Sequence, residues 1–178
     1  MPEPMGAYHM IGKDEFEPQR STNFWLYIYG LESLGDAGNA TEDITLCVNS
    51  VGGISYNVGD IDVHYGNSTV KFAGLPSYEN INLTFNDFIG KNTQKILSKW
   101  FALVYNPNTQ VVGMASNYKK RGLIVESAPD GSRIRSWDLY GAYPKDFAVD
   151  DHEYGNDSNV KIKMTLRVDY VKPANWDL

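Results

Sequence analysis

The chain has 178 residues, enough for one ordinary domain with chain left over for arms or loops. Its 22 acidic residues against 16 Lys and Arg leave a net charge of −6. That balance argues against a protein that holds nucleic acid by neutralising phosphates, and it is too mild for a disordered polyelectrolyte. The single cysteine, Cys47, excludes an intrachain disulfide framework. No run approaches the ~20 apolar residues of a membrane span. Met1 to Gly6 carry neither a basic nor an apolar leader region, so the protein is expected to be made and kept in cytoplasm.

Residues 1–20 mix Pro, Gly and charge without period and read as an N-terminal arm. The run from Phe24 to Tyr29 is strongly β-prone. Phe24, Leu26 and Ile28 share one face, and Trp25, Tyr27 and Tyr29 the other. Both faces are apolar or amphipathic, so this strand is expected to be covered on both sides, one of them by a partner. Ile44 to Val48 alternates as a further strand containing Cys47, which reads as an inert strand cysteine, with a reactive thiol as the alternative. Asn49 to Asp60, with Gly52, Gly53 and Gly59, reads as a long excursion able to conform to a neighbour, which makes Gly52, Gly53, Tyr56 and Val58 interface candidates.

Ile61 to Tyr65 and Thr69 to Ala73 flank Gly66-Asn67-Ser68, a hairpin signal. Asn80 to Phe85 alternates between Ile81, Leu83, Phe85 and Asn80, Asn82, Thr84. The one convincing helix runs from about Asn92 to Tyr105. Ile96, Leu97, Trp100, Phe101 and Val104 fall on one stripe, and Asn106-Pro107 stops it. Lys119 to Ser127 and Arg133 to Leu139 flank the turn Pro129-Asp130-Gly131. Val160 to Tyr170 is the most regular strand. Trp176, in the tail 173–178, is either mobile or docked on a neighbouring subunit. The expected fold is therefore mainly β: an antiparallel sandwich or barrel over 21–172, flanked by one α-helix, with an extended N-terminal arm and loop.

Catalytic signals are missing. His9, His64 and His152 show no paired metal spacing, and Asp150-Asp151-His152-Glu153 reads as a solvated loop, with a metal site as the weaker alternative. There is no nucleophile elbow, phosphate loop or paired cysteine motif. No enzyme activity, cofactor or metal is expected. Lys119-Lys120-Arg121 reads as a solvated strand entry, or else as a contact for an acidic surface.

The segment Asp138 to Phe147, with Gly141-Ala142-Tyr143-Pro144-Lys145 as a turn after a strand, resembles a signature of the tail tube proteins of contractile-tailed (T4-like) bacteriophages. Phe72-Ala73-Gly74-Leu75-Pro76, the strand at Ile81 to Phe85 and the helix containing Trp100 are similar to a second block of that family. The likeness spans Phe24 to Tyr170. It implies a β-domain with one flanking helix, closing as hexameric rings that stack into a hollow tube. It also implies a sheath outside, a tape measure protein within, baseplate and tail terminator at the ends, and DNA passing through without specific binding. The expected location is the virion tail, assembled in the host cytoplasm. Uncharged strands at Thr69 to Ala73 (Lys71 apart), Ile81 to Phe85 and Phe24 to Tyr29 suit edges completed by other copies. The polar positions Asp60, Asp62, Asn80, Asn82 and Thr84 are candidates for a neutral or acidic lumen. The rivals are a baseplate initiator, a tail-end cap or the tube of a related injection device, and, in another class, a monomeric carbohydrate-binding β-sandwich whose aromatics stack on sugars.

Overall fold

The computed structural model describes residues 18–35, 39–151, 154 and 159–174. Residues 1–17 of the expected arm, His152 and Glu153 of the Asp150 to Glu153 cluster, and Trp176 lie outside the described residues. The elements in chain order are β1 (Phe24–Ile28), α1 (Ala40–Cys47), β2 (Val48–Val51), β3 (Tyr56–Tyr65), β4 (Ser68–Tyr78), β5 (Ile81–Asn86) and α2 (Thr93–Val104). There follow β6 (Tyr105–Asn106), β7 (Val111–Val112), α3 (Ala115–Tyr118), β8 (Lys120–Ser127), β9 (Arg133–Val149), β10 (Lys161–Arg167) and β11 (Tyr170–Pro173).

The main sheet has seven strands in the order β1-β8-β9-β10-β5-β2, with β11 also paired to β9. Every pairing is antiparallel. Its centre is β9, 17 residues long. The first half of β9 pairs with β8 and β11 and the second half with β10. One strand thus carries the chain from one half of the sheet into the other. The mainly β, antiparallel class expected from alternation is the class observed, with α2 packed on β9.

Alternation places the core. On β5, Ile81, Leu83 and Phe85 are buried; on β10, Ile162, Met164 and Leu166 are buried. Leu26 and Ile28 of β1, Ile124 of β8 and Leu139 of β9 join the same cluster. Ile96, Leu97 and Trp100 close it from α2, at the spacing of one helical stripe. The Trp100 indole N–H donates to the Tyr118 carbonyl at 2.8 Å, so this large side chain enters the core with its polar atom satisfied.

Four expectations need correction. Ile44 to Cys47 is helix, not strand: Ala40, Ile44 and Cys47 are all buried, an i, i+4, i+7 stripe that a five-residue window reads as alternation. Asn49 to Asp60 is not one loop, because Val48–Val51 forms β2 on the β5 margin and β3 already starts at Tyr56. Ile81 to Phe85 is an interior strand between β10 and β2, not an edge. The run from Val160 to Tyr170 is broken at Val168-Asp169, where β10 ends before β11 begins.

Candidate assembly surfaces

Strands β3 and β4 stand apart from the main sheet. With 10 and 11 residues they pair only with each other and extend far beyond the sheet that anchors them. Gly66, at φ +60°, makes the turn at the tip. Nearly all residues of the hairpin are exposed, including Ile61, Val63, Val70 and Phe72. Phe72 is 55% exposed and Leu75 87%. At its root the hairpin joins the domain, where Tyr78 packs against the core and its ring lies 6.0 Å from that of Tyr56. Burial is thus inverted here: apolar side chains of high strand propensity lie in solvent.

The five lumen candidates are divided between two places. Asp60 and Asp62 are on the hairpin, where Lys71 lies 3.5 and 3.6 Å from their carboxylates. Asn80, Asn82 and Thr84 are on the polar face at β5. Thr165 donates to Asn82 at 3.1 Å and Arg167 to Asn80 at 3.2 Å. Lys163 lies opposite Thr84 and pairs with Asp150 at 3.1 Å. The face at Asn80, Asn82 and Thr84 is therefore not neutral. The polar positions of β10 that alternate with its buried ones carry Lys161, Lys163 and Arg167 onto the same side.

On β1, Leu26 and Ile28 are fully buried while Trp25 and Tyr29 remain 45% and 43% exposed and Tyr27 half-buried. Among the described residues this outer aromatic row lacks a complete cover. The strand is an outermost one, paired only with β8. Ser127 donates to the Asn23 carbonyl and Tyr29 to the Arg121 carbonyl, so by alternation Phe24, Leu26 and Ile28 turn their backbone groups outward. Helix α1 covers part of that margin. The Thr45 hydroxyl donates to the Leu26 carbonyl at 2.7 Å, and the Thr41 hydroxyl lies 3.0 Å from the Ile28 carbonyl. Between β1 and β2 opens a cleft of about 970 Å³, lined by Phe24, Val48, Val51, Ile54, Ile124 and Trp137 among others. Of the interface candidates Gly52 and Gly53, Gly52 donates to the Asn82 carbonyl at 2.6 Å and extends β2 along β5, and Gly53 is exposed.

The Gly141-Ala142-Tyr143-Pro144-Lys145 segment is not a turn after a strand but a corner inside β9. Gly141 has φ +64° and Ala142 and Pro144 point into the domain. Lys145 falls in a register shift between the Thr165–Asp146 and Leu166–Pro144 pairs, a bulge that also accommodates the proline. The basic run finds its acids within the chain: Lys119 lies 2.7 Å from Asp169 and Arg121 2.9 Å from Asp138. Asp169 holds the Lys119 ammonium above its ordinary pKa, and Asp138 does the same for Arg121. Sequence reasoning missed the column these residues build. Arg121 stands 5.2 Å over the Tyr140 ring, which stacks on Tyr170 at 4.5 Å and 9°. Tyr140 and Tyr170 are 30 positions apart and meet only through the β9–β11 register.

Cys47 is buried, and burial pushes its thiol pKa up, which keeps it protonated and unreactive. Among the described residues no group of three or more His, Cys, Asp or Glu could hold a metal ion, and no helix is long and apolar enough to cross a membrane.

No family model matches the chain, and no curated protein matches it. Solved structures do. The fold is similar to the tube terminating cap of the anti-feeding prophage, with 21% identity and a TM-score of 0.66 over 88% of this chain and 91% of that one. It is similar to the sheath/tube terminator of an extracellular contractile injection system, PVC, in the extended state, at 20% identity and TM-score 0.66 over 88% and 96%. A chain of the sheath-tube complex from the same system matches over 96% of this chain and 98% of that one, at 20% identity and TM-score 0.61. At such identities the likeness is one of fold.

Proposed function

We propose that this chain is a structural, non-enzymatic subunit of a tail-tube-like assembly, in which copies close into rings and rings stack around a hollow passage. The observation that carries the reading is the β3–β4 hairpin. A two-stranded ribbon in water is marginal even with a good apolar face. This one keeps its apolar side chains against solvent along most of its length, so the order it has in the full protein requires other molecules to cover it. The fold shared with tube and terminator components of contractile injection systems supports copies of the chain as those molecules. The margin of β2, the part of the β1 margin that α1 leaves uncovered, and the half-covered row Trp25, Tyr27, Tyr29 add further surface for head-to-tail contacts.

In this reading rings are hexameric, a sheath surrounds the tube, a tape measure protein or DNA occupies the passage, and a baseplate and terminator close its ends. The location is a tail or injection device. The acidic balance of the whole chain suits a passage that does not retain phosphate. The face at Asn80, Asn82 and Thr84 bears Lys161, Lys163 and Arg167 beside Asp146 and Asp150, and Lys71 lies between the hairpin carboxylates Asp60 and Asp62, so all five positions remain lumen candidates. Negative-stain microscopy of the purified full chain tests the proposal. Rings or tubes with a central hole support it; discrete single particles without a hole at every concentration contradict it.

A second reading has its own support: the terminator components agree with this fold somewhat better, at TM-score 0.66, than the chain of the sheath-tube complex, at 0.61. In this second reading copies of the chain close a single ring at the end of a tube. Copy number per native particle separates the two, since a tube subunit is present in many rings and a terminator in one.

A further inference from the structure

The β3–β4 hairpin is not apolar on one side. Along β3 the side chains alternate, so Tyr56, Val58, Asp60, Asp62 and His64 share a face, while Ile61, Val63 and Tyr65 share the opposite one. Register extends both sets across β4. Tyr56 and Val58 face Tyr78 and Pro76, Asp62 faces Lys71, and Ile61 and Val63 face Phe72 and Val70. Between the Val58–Pro76 and Asp60–Ala73 pairs, Gly59 stands opposite the two residues Gly74 and Leu75, which is a bulge on β4. Gly74 sits tight against the other strand, where a Cβ would come within 2.9 Å of the Gly59 carbonyl oxygen and 3.5 Å of Ile61. The bulge restores register so that near the root one face is apolar, and beyond Gly59 the opposite face is.

We infer that this hairpin docks between two different copies of the chain, its root face (Tyr56, Val58, Pro76) against one and its tip face (Ile61, Val63, Val70, Phe72) against the other. The inference rests on the tube-subunit reading and makes it specific. A single neighbour holding the hairpin in a groove would cover both faces at the same height and would favour apolar side chains on both faces there. Instead, where one face is apolar the other carries Asn57 and Ser77, or Asp60, Asp62, Lys71, His64 and Thr69. At ~3.3 Å per residue and ~4.8 Å between strands the ribbon is about 35 Å long and about 10 Å wide, so the root part of one face and the tip part of the other together offer about 350 Å². The other margins of the subunit must add to this to reach the size of a stable interface, and the face bearing Asp60 and Asp62 stays uncovered toward the tip.

Two paired substitutions test this in the full chain: Tyr56→Ser with Val58→Ser at the root, and Ile61→Ser with Phe72→Ser at the tip. All four residues are about half exposed in the subunit, so the core is untouched and thermal melting of the domain should not move. Mass photometry and microscopy at matched concentrations read the assembly. Each variant is expected to raise the concentration needed for tube growth by at least about 30-fold, and the two are expected to halt at different smaller species, because each retains the contact that the other lacks. If both halt at the same species, or either assembles as the wild type does, the two-neighbour arrangement is wrong while the tube reading stands. If the unsubstituted chain itself never associates, both are wrong. A cysteine placed at Val58 and another at Val63 provide an independent readout: both should resist maleimide in assembled wild-type-like tubes, and free labelling of either one in the tube overturns the inference.

Discussion

Asp169 lies directly over Gly141. A Cβ built on Gly141 would fall 2.6 Å from the Asp169 carboxyl carbon and 3.1 Å from its Cβ, and the Asp169 amide donates to the Tyr140 carbonyl at 3.0 Å. The break between β10 and β11 and the corner of β9 are therefore one feature, formed where two strands bend together. At this corner β9 passes from pairing with β8 and β11 to pairing with β10.

Gly141→Ala is expected to be costly. The left-handed backbone at φ +64° alone penalises a Cβ by about 1–2 kcal/mol, and the carboxylate must also swing away. We expect a loss of about 2–4 kcal/mol in urea unfolding, partly restored by adding Asp169→Ala. A loss below about 0.5 kcal/mol, the range of ordinary surface substitutions, would show that the corner does not depend on this contact.

The Lys119–Asp169 pair makes an alkaline prediction. Asp169 raises the Lys119 pKa in the folded state. A raised pKa contributes stability that is complete below the unfolded value of about 10.4 and vanishes as pH climbs through the folded value. The stability difference between wild type and Lys119→Met should thus be flat through neutral pH and close above about pH 10.4. It should be small throughout, since both side chains are one-third to one-half exposed, and smaller still in high salt. A difference that grows with alkalinity would contradict the assignment.

Thr45→Val isolates the role of α1. The hydroxyl is buried and is the partner of the outward Leu26 carbonyl. Replacing it with a methyl of similar shape leaves that acceptor unpaired and should cost about 1–3 kcal/mol. Hydrogen exchange should report faster opening at β1 than at β5. An unchanged β1 would mean that the helix covers the margin by packing alone.

Legibility in the sequence followed the range of each interaction. Helix α2 and strand β5 were readable because period and burial are local: Ile96, Leu97 and Trp100, or Ile81, Leu83 and Phe85, announce themselves within one element. The hairpin was legible at its tip through Gly66-Asn67, but not at its root, because Gly59, Gly74 and Pro76 punctuate the sequence while the bulge absorbs them in space. Helix α1 was misread because its stripe emerges only when Ala40 is counted with Ile44 and Cys47. The charges beside Asn82 and Thr84 could not be foreseen, since Lys163 meets Thr84 only through the β10–β5 register. The edges went the same way: that β1 and β2 end the sheet, and that β5 does not, depends on pairings between strands far apart in sequence.

Light scattering on the full chain beside a version with residues 56–78 replaced by a short Gly-Ser link is the most direct measurement of the central claim. The full chain should give a mass that rises with concentration well beyond the 20.0 kDa of one copy, while the shortened chain stays folded at the mass of one copy. A full chain that remains at 20.0 kDa throughout, or a shortened chain that associates equally well, would contradict it.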